Sequence, residues 1–152
     1  EGGFRIAYTP FEAPAARSFD DVMFDEWLEA PVAFGAFERD VLLGFAEGSM
    51  ENWNNRFRIS NLCVFDEAVR GQGIGSMLMA RITEAARARG ARMLVLETQS
   101  CNEAAIAFYR KNGFSVIDLY AYSNADPERR EVRIEMGKKL QDAVPKEEFR
   151  NG

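Results

Sequence analysis

The consecutive residues Arg70-Gly71-Gln72-Gly73-Ile74-Gly75-Ser76 place glycines at every second position between a strand-like run and an amphipathic one. Without Cβ atoms the backbone can approach an anion closely, and the first N–H groups of a helix, helped by its dipole, favour phosphate oxygens. The segment is therefore a candidate diphosphate cradle. The alternative is a glycine-rich connection that does no more than make a tight turn. A P-loop needs Gly-Lys followed by Ser or Thr, and that triplet is absent, so nucleoside triphosphate hydrolysis is not expected. A dinucleotide fold is a nearer rival, since strand, glycines, helix and a second strand ending at Glu97 follow in order. Its third glycine, however, would fall at Ser76, Asp66 to Arg70 separate strand from turn, and no second mononucleotide half follows.

The chain contains no histidine, which removes the commonest general base and the commonest zinc ligand. Any acid or base must be a carboxylate, Tyr, Cys, Lys or water. Glu97 closes a buried-looking strand and could orient a water or take an ammonium proton, while Glu47 and Glu51 follow another strand and could line an acceptor pocket. The competing reading of all three is a solvated or salt-bridged carboxylate. Cys63 and Cys101 have no metal-ligand spacing and read as small apolar fillers, so no metal is expected and a reducing cytoplasm is the expected location.

The elements that must position these residues come from periodicity. With 152 residues and 47% apolar content, one compact domain over 1–140 is expected, followed by a polar tail over 141–152. Phe4 to Tyr8 reads as a strand and Ser18 to Leu28 as an amphipathic helix ended by Pro31. Val32 to Phe37, Val41 to Gly48 and Phe57 to Phe65 read as antiparallel strands, with a hairpin at Glu38-Arg39-Asp40 and a turn at Asn52 to Asn55. Ile74, Met77, Leu78, Ile82, Ala85 and Ala86 form the stripe of a helix on a sheet, closed by Gly90. Met93 to Leu96 reads as a strand covered on both faces. A second helix runs from about Ser100 or Asn102 to Asn112, where Ser100 and Glu103 match a capping box and Gly113 a C-cap. Phe114 to Tyr122 and Glu131 to Met136 are the last strands, joined by a turn at Asn124 to Pro127. A net charge of −5 argues against a nucleic-acid partner and tolerates a cationic substrate, although it equally serves plain solubility. No run of about 18 apolar residues suggests a membrane span.

On these residues the chain resembles the GNAT N-acetyltransferase superfamily, whose cofactor motif is Gln/Arg-x-x-Gly-x-Gly/Ala; Arg70, Gly73 and Gly75 occupy its defined positions. Asn102-Glu103-Ala104-Ala105-Ile106-Ala107-Phe108-Tyr109-Arg110-Lys111-Asn112-Gly113-Phe114 is similar to the family's second signature of Asn, small residues, aromatic-Tyr and Gly-Phe. Leu96-Glu97-Thr98-Gln99 is similar to streptothricin-acetyltransferase-like members.

The resemblance implies an α/β (α+β) fold with a mixed, mostly antiparallel sheet of six to seven strands flanked by helices. It implies acetyl transfer from acetyl-CoA, as co-substrate, to a primary amine of a small cationic molecule of antibiotic type. A protein N-terminus or lysine is the alternative acceptor, and a non-catalytic acyl-CoA sensor the alternative class. In the family the fourth strand splays from the fifth, and Leu62, Cys63 and Val64 match the place where freed backbone groups bind the pantetheine arm and the thioester oxygen. Tyr109 is implied beside the sulfur as general acid, against the reading of a buried aromatic next to Phe108. Asn102 is implied at the pantetheine or phosphate region, against a capping role alone, and Arg70 adds charge near the pyrophosphate. The expected partner is a small-molecule amine, with a homodimer as a further expectation and neither nucleic acid nor membrane.

Overall fold

The computed structural model describes residues 23–65, 69–121 and 132–140. Six strands form one sheet in the order β1-β2-β3-β4-β6-β5. They are β1 (Val32–Glu38), β2 (Val41–Glu51), β3 (Arg56–Val64), β4 (Met93–Gln99), β5 (Ser115–Ala121) and β6 (Val132–Lys139). Every neighbouring pair is antiparallel except β3 with β4. The mixed, mostly antiparallel sheet flanked by helices agrees with expectation, as do the β1–β2 hairpin and the short 3-10 turn at Asn52–Asn54.

The crossover from β3 to β4 is α1 (Ile74–Ala88), whose Ile74, Leu78, Met79, Ile82 and Ala86 are buried against β1, β2 and β3. Removing side chains such as Leu78, Met79 and Ile82 from water contributes about 2 kcal/mol each. From the sheet, Ala46, Phe57, Ile59, Leu94, Leu96, Ile134 and Met136 join the same core, all buried. Leu94, Val95 and Leu96 are at most 2% exposed, as expected for a strand covered on both faces. The second helix, α2 (Glu103–Lys111), connects β4 to β5. Among the described residues no helix is long and apolar enough to cross a membrane.

Several expectations need correction. Residues 23–28 form turns and not the end of a helix. Phe24 has φ 58° and Ala30 φ 46°, left-handed conformations that a right-handed helix cannot carry, and the Phe24 N–H is captured by a Glu47 carboxylate oxygen at 2.6 Å. No Ser100–Glu103 capping box forms: Asn102 is the N-cap of α2, and the Ser100 hydroxyl accepts from the Val132 N–H at 3.1 Å. The last strand continues beyond Met136 to Lys139 because it pairs with β4 along the whole length of that strand. The expected strand Phe4 to Tyr8, residues 18–22 of the expected helix, the turn at Asn124 to Pro127 and the tail lie outside the described residues.

Candidate active site

The glycine turn folds as a cradle. Gly71 and Gly73 have φ of 85° and 89°, and a Cβ built at either would meet nothing within 4 Å, so both backbones face open space. Such positive φ values are where glycine is needed. Gly73 caps α1 without any side-chain acceptor, and the first helical bond runs from the Met77 N–H to the Gly73 carbonyl at 2.9 Å. The amides of Ile74, Gly75 and Ser76 thus come before the helical ladder, at the positive end of the dipole. Gly75 acts differently. A Cβ there would lie 3.3 Å from the Phe108 ring and 3.9 Å from Val64, so its bareness lets α1 pack on α2 and on the end of β3. Arg70 turns its guanidinium onto the Val64 carbonyl at 3.3 and 3.4 Å, tying the turn to the end of β3.

The parallel pairing of β3 with β4 covers only Arg56↔Met93, Phe57↔Leu94 and Arg58↔Val95. Beyond Arg58 the two strands part, while β3 stays paired to β2 through Val64↔Gly44. The crevice so opened leaves the β4-facing backbone of Leu62 and Val64 without a paired strand, while Cys63 between them faces β2. A bulge sets what looks into it. Gly48 pairs with Ile59 and Glu47 with Asn61, leaving Ser60 as one extra residue on β3. An extra residue reverses the alternation of side chains beyond it. Phe57 and Ile59 belong to the core before the bulge; after it Leu62 and Val64 pack against that core, while Asn61 reaches the Glu47 carboxylate.

Tyr109 on α2 packs against the hydrophobic core, within electrostatic reach of Cys63. Burial pushes its phenol above the ordinary tyrosine value, and the neighbouring Cys63 acts in the same direction. Its ring lies 5.6 Å from Phe108 and 5.9 Å from Phe114, centroid to centroid. The helix that carries it is capped by Asn102, whose side-chain oxygen accepts from the Ala105 N–H at 3.2 Å. The turn, the end of β3 and Tyr109 are therefore brought together through Val64, Gly75, Phe108 and Cys63.

Glu97 lies apart from that group, in a cleft of about 280 Å³ lined by Asp25, Trp27, Glu47, Arg58, Asn61 and Glu97 among others. Both Glu97 oxygens are engaged, one by Arg58 at 3.4 Å and one by Arg133 at 3.0 Å. Arg58 also meets Glu51 and Glu135, and Arg56 meets the same two carboxylates. Burial pulls the Arg58 guanidinium down, but hydrogen bonds and attraction from Glu51 and Glu135 outweigh it and hold it above its ordinary value. Glu51 belongs to this ion-pair network and does not line the cleft. Glu47 does, fully buried, accepting from the Phe24 N–H, the Ser60 hydroxyl at 3.2 Å and the Asn61 amide at 2.9 Å. Sequence reasoning missed Asp25 and Trp27, because their segment reads as a helix, and missed Arg58 and Asn61. The one signal for Arg58 was a charge alternating with Phe57 and Ile59.

The profile of the Acetyltransferase (GNAT) family matches residues 3–114. The chain belongs to that family. Streptothricin acetyltransferase of Streptomyces lavendulae is 33% identical over 125 residues, which cover 77% of this chain and 66% of that protein. The crystal structure of nourseothricin acetyltransferase matches with a TM-score of 0.67 and 34% identity, over 73% of this chain and 66% of that one. A putative streptothricin acetyltransferase from Bacillus anthracis, solved with acetyl coenzyme A, matches at TM-score 0.65 and 29% identity, over 73% of this chain and 63% of that one. The chain spans just under two thirds of the length of these relatives.

Proposed function

We propose that this GNAT-family chain transfers the acetyl group of acetyl-CoA to a primary amine of a small cationic molecule of the streptothricin type. The observation that supports this most is the convergence near Val64 of a helix N-terminus with no side-chain cap, a parted pair of parallel strands and a half-buried phenol. The residues fit the coenzyme. The open space over Gly71 and Gly73 and the amides of Ile74, Gly75 and Ser76 suit a diphosphate, with Gln72 and Ser76 on the same turn. The backbone of Leu62 and Val64 suits a pantetheine amide chain laid along β3 in place of a paired strand.

Acetyl-CoA supplies an activated acyl carbon in thioester linkage. The protein's part is to hold that carbon against the amine and to receive charge as it develops. Backbone N–H groups of β3 in the crevice donate to the thioester oxygen. The Tyr109 phenol, kept protonated by burial, donates its proton to the departing sulfur. Asn102 acts through the helix, holding α2 so that Tyr109 faces Cys63. The amine loses its proton to water on the cleft side, where Glu97 lies. The substrate class rests on the streptothricin and nourseothricin relatives and on the carboxylates of the cleft.

The test is to incubate the chain with acetyl-CoA and a panel of primary amines that includes a streptothricin, following thiol release and reading products by mass spectrometry. The expected result is an acetylated antibiotic with thiol released in step. Thiol release at background with no acetylated amine from the panel would overturn the reading.

A further inference from the structure

Ser60 and Asn61 wall the cleft just beyond the last β3–β4 pair, and Trp27 is the aromatic residue among those that line it. The segment that carries Trp27 is fixed at three points. Glu47 takes the Phe24 N–H at 2.6 Å, Leu28 is buried, and the Asn52 amide donates to Glu29 at 2.6 Å. Glu47, enclosed and with its oxygens bonded, thus holds this segment in place. Trp27 itself is 61% exposed, and its indole N–H donates to the Asp25 carboxylate at 3.1 Å. That bond commits the edge of the ring. Elsewhere ring faces are already taken: Arg56 stands over Trp53, Arg81 over Phe34, Arg89 over Phe57 and Lys138 over Phe114. Among the described residues no cation and no second ring stands over Trp27.

Asp25 is half-buried, and the carboxylate oxygen that does not meet Trp27 has no partner among the described residues. A cation drawn to the indole face would therefore find an available carboxylate oxygen at the edge of the same ring. The surrounding charge favours it. Three carboxylates, Asp25, Glu47 and Glu97, line the cleft with one guanidinium, Arg58, which is already engaged by Glu51, Glu97 and Glu135. We propose, resting on the acetyltransferase reading above, that Trp27 and Asp25 are specificity residues of the acceptor site: the indole face takes a cationic group of the acceptor, and the Asp25 carboxylate supplies its countercharge. Glu97, tied to Arg58 and Arg133, does not fill this role.

The probe is choline, a fixed cation without an acetylatable nitrogen, compared with its uncharged tert-butyl analogue, in which carbon replaces the quaternary nitrogen. The chain has two tryptophans, so Trp53→Phe leaves Trp27 as the sole indole reporter. In that protein choline is expected to change the emission saturably, with affinity about fivefold or more above that of the analogue. Asp25→Asn in the same background should narrow that difference. In turnover, Trp27→Ala and Asp25→Asn are expected to raise KM for a streptothricin about fivefold with kcat kept, and Trp27→Phe to recover part of the loss. Circular dichroism matching the wild type reports that each variant is folded, and KM for acetyl-CoA should stay within about twofold. Equal response to choline and its analogue, or an unchanged streptothricin KM in folded Trp27→Ala, overturns the proposal. Should no amine be acetylated while choline still binds at Trp27, the acetyltransferase reading falls and the cation subsite stands.

Discussion

Tyr109 and Cys63 sit on different elements, α2 and β3, and interact electrostatically across them. Replacing Tyr109 by Phe keeps the ring packing and removes one proton donor. The expected outcome is a kcat lowered about a hundredfold with KM for acetyl-CoA nearly unchanged, measured by steady-state thiol release. The same phenol has a stability signature. Its folded-state value is raised, so above the unfolded value of 10.0 the unfolded chain gives up its proton first, and stability that is complete below that value declines as pH rises through it. Urea midpoints either side of that value should differ less in Tyr109→Phe than in the wild type. At Gly73, φ 89° makes any side chain strained, so Gly73→Ala serves as the reference for Gly73→Asp. The aspartate should weaken acetyl-CoA binding well beyond the alanine, because its charge enters the phosphate cradle. The glycine turn stands out in the sequence because its spacing is local, and Tyr109 because its segment resembles the family's second signature. The burial of Glu47 does not, since a carboxylate in a strand is ordinarily solvated and only tertiary pairing with Phe24, Ser60 and Asn61 encloses it.

The elements themselves were largely readable. The stripe of α1 and the apolar run of β4 both follow from burial against a sheet, which leaves a period in the residues. What failed was local chemistry decided by a distant partner. Ser100 and Glu103 match a capping box, but the Ser100 hydroxyl goes to the Val132 amide on β6, and Asn102 caps α2 in its place. Asn102→Ala is expected to lower stability by about 1 kcal/mol, the cost of an N-cap, as read by chemical denaturation. If the side chain also served the coenzyme directly, calorimetry would show a loss of affinity larger than that. Residues 23–28 show the same limit: Glu47 takes the Phe24 N–H, and the segment turns where its periodicity suggests a helix. Gly75→Val probes the junction of α1 with α2, where the Phe108 ring stands 3.3 Å from the position of a new Cβ. About 1–3 kcal/mol of overpacking strain is expected, visible as a lowered denaturation midpoint.

Across the whole molecule the sheet has two halves, β1-β2-β3 and β4-β6-β5, joined by only the three parallel pairs from Arg56↔Met93 to Arg58↔Val95. Side-chain charge strengthens the joint. Arg56 and Arg58 on β3 reach Glu51 on β2 and Glu135 on β6, so their ion pairs cross β4. Removing one member leaves two guanidinium groups short of a buried partner. Glu135→Gln should therefore cost about 3 kcal/mol by urea denaturation, far more than loss of the exposed Arg81–Glu84 pair on α1. Such a joint lets the strands separate beyond Arg58 without the halves coming apart, and so keeps the crevice open.

Ser60 carries a further implication for how such a protein diversifies. Because one surplus residue decides whether Asn61 and Cys63 or Leu62 and Val64 look toward α1, losing a single codon there would trade the polar lining for the apolar one while the hairpin with β2 could re-zip. A length difference of one residue in β3 thus exchanges the lining of the cleft with part of the interior, and Asn61 would have to be accommodated there.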